Sequence, residues 1–484
     1  MTYLRAFSWS VVASAIALSA ACGDDTSSGG AGGSTGGTGA GTNNGGATNT
    51  GGSNNGGSTN NGGSGGGAPA PTATCPASDL PAPPTDCSAG DVLCVGPGAE
   101  FTTIQDAADA SKPGDTVLVA AGSYAGFQID VSGTADQPIT FAASGAVTID
   151  SPAPTGDGIR IENSSHVRVI GFAIHDTPER CIAARGATPD TPMTDVWVVS
   201  NTCDRAGVEG FYLSELESSH VELNVIRDSG QSGSTRSHGI YLANAGSDNT
   251  TICGNLIAGS APDESNGIHF NGDLSVGGDG VISGLIVASN VVTGHAQNGF
   301  NLDGVQDSTF VNNVVYGNVR NALRAYAIDA AEGPRNLVVV GNTLLTGTSG
   351  WPLRFTEDLG GHVVFDNILL TEGADLGSIS LEPSPAFASS HNVVVDRFTN
   401  DDESSIISLA EWQALGYDDG SIVSSPAALF TSPGTGDFTL LSSAPAIDAG
   451  VASFQSIAAP NADIAGTPRP SGAGFDIGAY ERAQ

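Results

Sequence analysis

The 484-residue chain carries 67 glycines, 51 acidic and 16 basic residues, and a formal net charge of −35. A field of that sign repels nucleic acid and anionic membrane surface alike, which leaves cations and neutral polymers as the easier partners. Lys112 is the single lysine, so cationic chemistry has to come from arginine or histidine.

Residues 1–22 combine Arg5, an apolar run from Ala6 to Leu18 and the small residues Ser19-Ala20-Ala21 before Cys22, the layout of a secretory signal. The run is too short for a permanent span. With cysteine at the cleavage point it resembles a bacterial lipoprotein signal, in which Cys22 is acylated, although Leu18 stands one position further from the cysteine than that pattern has it. The expectation is a lipid-anchored monomer at the cell envelope or surface, touching the membrane only through that anchor, or a secreted one where the signal is a plain secretory signal. Residues 23–72 are almost entirely Gly, Ser, Thr, Asn and Ala and read as a disordered tether. A lead-in over 73–100 holds Cys75, Cys87 and Cys94, and Cys181, Cys203 and Cys253 follow. An even count suits disulfides in an exported protein, and a staple within the first three is expected, though the six allow 15 pairings.

Domain 101–400 begins with a short helix. Thr102 with Gln105 reads as a capping box, Pro113-Gly114 as the stop, and Ile104, Ala107, Ala108 and Ser111 share one face. That face suits a lid over the open end of a sheet, where apolar core and strand edges would otherwise meet water.

A motif then recurs as Gly158-Ile-Arg-Ile, Gly210-Phe-Tyr-Leu, Gly239-Ile-Tyr-Leu, Gly267-Ile-His-Phe and Gly299-Phe-Asn-Leu. Between the copies run β-branched strands closed by Asn201, Asn224, Asn255, Asn290, Asn313, Asn342 and Asn367, with an eighth at Asn392, spaced 23 to 35 residues apart. Strands of fixed length joined by loops of variable length are the mark of a solenoid, in which each strand pairs with its own copy one coil later. The reading is all-β: a parallel β-helix with an asparagine ladder and an N-terminal capping helix. Residues 401–484 read as a C-terminal capping segment, with a helix from Ser408 around Trp412 and Arg469 paired to Asp476 or Glu481 to pin the tail over the last coil.

The motif, the asparagines and the capping helix resemble the pectate-lyase-like right-handed parallel β-helix superfamily, with three strands per coil, over residues 92–400. The last stretch, Asp463-Ile-Ala-Gly and Asp476-Ile-Gly-Ala-Tyr, resembles the C-terminal segment of secreted β-helix surface proteins. The resemblance implies a polysaccharide lying along one strand face.

Because the second and fourth motif residues must face the core, the third points outward. That column reads Arg160, Ala183, Tyr212, Tyr241, His269, Asn301, Arg324, Arg354, and the parallel one Glu162, Arg185, Ser214, Ala243, Asn271, Asp303, Tyr326, Thr356. Tyrosine stacks on sugar rings and arginine forks grip carboxylates, so an acidic polysaccharide is the expected partner. β-Elimination or epimerisation of a uronic acid needs a base, an acid and neutralisation of the carboxylate. His269 is the expected base, with His238 as a second candidate, Tyr241 the acid and Arg324 the neutraliser. Tyr212, Asn301, Arg354 and Tyr326 are expected to bind substrate, and Asn271, Asp273 and Asp303 to offer oxygens to calcium. A non-catalytic polysaccharide-binding or adhesion lipoprotein would use the same face.

Overall fold

The computed structural model describes residues 75–233, 237–260, 264–383 and 386–483. The signal, Cys22 and the tether lie outside the described residues. Among those described, no helix is long and apolar enough to cross a membrane.

Eleven short strands, from Phe127–Ile129 to Phe398–Thr399, form one parallel sheet in which sequence order is spatial order. A second sheet of 22 strands closes the remaining walls of the same coils. The motif alternation sets the inside: Ile240 and Leu242 are fully buried while Tyr241 between them is half-buried. The residues stacked on them, Phe211, Leu213, Ile268, Phe270, Phe300 and Leu302, are buried as completely.

The asparagine ladder forms over all eight positions. The residue before each rung bends left-handed, with φ between 48° and 67° from Ser200 through Gly254 to His391. That bend takes backbone groups out of the sheet, and the buried carboxamides satisfy them. Asn255 is typical: its Oδ1 accepts from the Asn224 N–H at 3.0 Å and Nδ2 at 2.9 Å, and its own Nδ2 donates to Val221 O at 2.8 Å. Asn255→Ala is expected to cost roughly 1–3 kcal/mol by stranding these groups. A denaturation midpoint equal to wild type would show that the ladder does not hold the turns.

Both ends are capped. Helix α1 (Ile104–Ala110) starts one residue later than the spacing suggested: Thr103, not Thr102, accepts the N–H of Asp106 at 3.1 Å. Gln105 is drawn instead to the first strand of the eleven, accepting Gln128 N–H at 2.8 Å and donating to Gln128 O at 3.1 Å. Edge-strand amides without a neighbour compete successfully for that side chain. At the far end α2 (Leu409–Ala414) carries the Ser408/Glu411 capping box and lays Trp412 flat on Phe398, rings 5.0 Å apart. The Trp412 indole N–H and the last rung, Asn392, both donate to Asp418, which terminates the ladder.

Beyond α2 the chain adds one more parallel pairing to the last coil, Ile422–Val423 on Val393–Val394, and then leaves the end of the solenoid. It runs back along the flank, where Phe430, Phe438, Leu440, Ile477 and Ala479 pack on Val314, Ile368, Leu370 and Val393. Trp412 already closes the end, whereas those outward apolar side chains need a cover. Arg469 pins the tail to itself, donating to the carbonyls of Asp476 and Gly478, with Glu481 at 3.9 Å. The disulfides are Cys87–Cys94, the local staple, Cys181–Cys203 inside the coils, and Cys75–Cys253, which ties the lead-in to the flank.

Candidate active site

The outward column of the eleven-stranded sheet holds the register read from the sequence: Tyr212 pairs with Tyr241, Tyr241 with His269, His269 with Asn301, Asn301 with Arg324, and Arg324 with Arg354. Parallel neighbours are about 4.8 Å apart, so the column spans about 24 Å.

At its centre Tyr241 and His269 stack face to face, centroids 5.0 Å apart and planes 9° from parallel. His238, buried at the start of the preceding strand, meets both rings edge-on and places its Nε2 3.1 Å from His269 Nδ1. Its other nitrogen, Nδ1, accepts the backbone N–H of Asn266 at 3.0 Å. Asn271 donates its amide to the Tyr241 oxygen at 3.0 Å. Burial pushes the Tyr241 phenol up to about 12, and Tyr212, Asp273 and Asp329 add to the rise while the Asn271 amide opposes it.

A wall stands beside this centre. The loops after Asn271 and Tyr326 interlock, with Leu274 N–H donating to Asp329 O at 3.0 Å and Ala331 N–H to Gly280 O at 2.8 Å. Asp303 holds the second loop, its carboxylate accepting the N–H groups of Ile328, Asp329 and Ala330 at 2.8, 3.0 and 3.3 Å. Both Asp303 oxygens are therefore engaged, and Asp273 Oδ1 caps Ser275 N–H at 2.7 Å. Among the described residues no three His, Cys, Asp or Glu converge as a metal-binding group.

The expected substrate-binding residues divide. The guanidinium carbons of Arg180 and Arg185 lie 5.2 and 4.6 Å from the Tyr212 ring centre, so cations compete with sugar for that ring. Asn301 is buried and locked, donating to Tyr326 OH at 2.7 Å and accepting from Asn298 at 2.9 Å. Tyr326 is buried beneath Arg324, whose guanidinium carbon sits 4.2 Å from its ring centre. Arg354 is held by Asp402 and Glu403 at 3.3 and 3.0 Å, which withdraws it from a substrate carboxylate.

Arg324 has no carboxylate partner among the described residues, and its Nε is buried without an acceptor. Arg185 is in the same position, a residue that sequence reasoning placed on the face but did not single out. Five coils separate them, about 24 Å, with the Tyr241–His269 stack between.

The family described as periplasmic copper-binding protein (NosD) matches residues 110–322, less than half of the chain and ending short of Arg324. No curated protein matches the sequence. Among solved structures, pectate lyase Pel9A aligns over 79% of this chain and 92% of its own, with TM-score 0.52 and 13% identity. XylC in complex with xylose aligns over 81% and 99%, with TM-score 0.50 and 10% identity. At such identities the likeness is one of fold alone, a right-handed parallel β-helix.

Proposed function

We propose that this right-handed parallel β-helix is a carbohydrate-active protein of the cell envelope, which binds an acidic polysaccharide along the outward column and moves the proton next to a uronate carboxylate, as a lyase or an epimerase. One observation carries the reading. In a chain with 51 acidic and 16 basic residues, two guanidinium groups stacked on tyrosines and lacking carboxylate partners flank a Tyr–His stack on a face long enough for several sugars. A guanidinium left without a carboxylate in so acidic a molecule is available to an anionic ligand.

Tyr241 and His269 are the groups placed for proton transfer, and Arg324, two coils from His269, is the cation for a substrate carboxylate. The solved structures with this fold include a pectate lyase and a xylose complex, which supports a sugar polymer as the class of ligand. The copper named for the matching family finds no donor set, since the six described cysteines form disulfides and no three ligands converge among the described residues. Calcium at Asn271, Asp273 and Asp303 would have to displace loop amides from Asp303.

The test is a panel of pectate, alginate and glycosaminoglycans, each with calcium and with a chelator, in deuterated water. New ultraviolet absorbance from unsaturated uronate ends marks a lyase, and deuterium at the carbon next to the carboxylate marks an epimerase. Polymer retention with neither signal would overturn the catalytic reading in favour of recognition alone.

A further inference from the structure

A second, shorter ladder runs beneath the start of the groove strands. Asn298 donates its N–H and amide to Asn266 Oδ1 at 3.0 and 3.1 Å, and Asn321 does the same to Asn298 Oδ1 at 3.1 and 2.9 Å. Each rung is the residue before the motif glycine or its equivalent, as in Asn266-Gly267, Asn298-Gly299 and Asn321-Ala322. One coil earlier that position is His238-Gly239, and Asn266 N–H donates to His238 Nδ1 at 3.0 Å, where an asparagine would offer its Oδ1.

We infer that His238 is a ladder rung whose fixed tautomer keeps the proton of His269 on Nε2, which bars His269 from acting as the base and leaves Tyr241 to take the carbon-bound proton. The inference rests on the reading above for its effect on turnover, and on hydrogen-bond logic alone for the tautomer. A backbone N–H can only donate, so the neutral His238 ring carries no proton on Nδ1 and must carry one on Nε2. That proton faces His269 Nδ1 at 3.1 Å, which makes Nδ1 an acceptor and leaves the proton of neutral His269 on Nε2. The molecule uses the same device at His362, whose Nδ1 accepts Leu337 N–H at 3.0 Å while Nε2 meets Asp358 at 2.6 Å.

The Nδ1 lone pair of His269 accepts from His238 and its Nε2 already carries a proton, so neither nitrogen can take a proton from substrate and the base must be a different group. Tyr241 stacks on His269, and its oxygen receives a hydrogen bond from Asn271 that favours the phenolate. The phenolate, formed by loss of its proton to solvent, accepts the carbon-bound proton. The electron pair of that C–H bond passes to the carboxylate as an enolate, which Arg324 stabilises. In elimination the pair then forms the new double bond as the bond to the leaving oxygen breaks, and the phenol returns its proton to that oxygen, regenerating the phenolate.

His238 is thus a positioning residue, and His238→Asn is the variant that separates its two duties, because asparagine extends the ladder but cannot set the ring of His269. The full chain labelled with 15N is the sample, and the imidazole signals are assigned by their loss in His238→Asn and His269→Gln. In the wild type both rings should show a protonated Nε2 and a bare Nδ1. His238→Asn should keep the wild-type melting temperature, turn His269 into a mixture of tautomers and add to the pH–rate profile a rise through the histidine range that the wild type lacks. A bare Nε2 on wild-type His269, or a His269 tautomer unmoved by His238→Asn, overturns the inference, and neither observation needs a substrate. Turnover absent from every polymer would instead strike the functional reading while the tautomer result stood.

Discussion

Wild-type turnover of the responsive polyuronate is expected to rise about tenfold per pH unit from neutral well into the alkaline range, and Tyr241→Phe to lower it about 1000-fold at every pH. The phenolate is the reacting form, and burial holds the phenol at about 12, so it is a small minority at pH 7 that each added unit multiplies by ten. Asn271 supplies the opposing pull, the one hydrogen bond to that oxygen among the described residues. An imidazole base would give a different curve, rising through the ordinary histidine range near 6.5 and flat above it. A plateau beginning near pH 7 would therefore return the base to a histidine and end the assignment of Tyr241. The Phe variant keeps the ring that stacks on His269 and removes only the oxygen, so a fall in rate with unchanged melting temperature reports on proton transfer and not on packing.

The coils were legible because their determinants are local and repeated. An asparagine after a β-branched strand says where the chain bends, and alternation within Gly-Ile-Tyr-Leu says which side chains leave the core; the outward column followed in register. The shorter ladder was equally written in the sequence, as Asn-Gly before two groove strands, Asn-Ala before a third and His-Gly before a fourth, but its histidine stood out as a reactive group and its structural neighbours did not. What periodicity could not reveal was competition between neighbours. Arg354 belongs to Asp402 and Glu403, contributed by a loop 48 and 49 positions on, and no spacing rule links them. Asp303 looked like a metal ligand because it is acidic and outward, yet three loop amides claim it. Gln105 left the expected capping box for the same kind of reason, since an edge strand offered it two backbone partners. The tail was placed on the wrong surface because nothing in a linear pattern says that Trp412 closes the end and leaves the flank to be covered.

That flank yields the largest expected change in stability. Asp366 sits at the left-handed bend before rung Asn367, with φ of 55°, buried where the returning tail crosses the coils. Among the described residues its carboxylate accepts only Val451 N–H, at 3.1 Å from each oxygen, and its backbone carbonyl takes Gly478 N–H. Burial pushes the carboxyl up to about 8, against smaller opposing effects of Val451 and Arg469. The sign follows from the two states: the unfolded group releases its proton near 3.8 and the folded group near 8, so the folded chain binds more protons throughout that window. Its contribution is fully present below pH 4 and is lost as pH rises toward 8, by on the order of 5 kcal/mol as an upper bound. Asp476 and Glu481, at the end of the same tail, are likewise raised by burial and act in the same direction. Asp366→Asn retains an acceptor for Val451, tolerates the left-handed bend and cannot ionise. It should therefore match the wild type near pH 4, exceed it by several kcal/mol at pH 8, and flatten the dependence of the denaturation midpoint between those values. A variant less stable than wild type at pH 8 would mean that Asp366 is ionised and held by Arg469, and that the tail docks through a buried ion pair and not through a protonated acid.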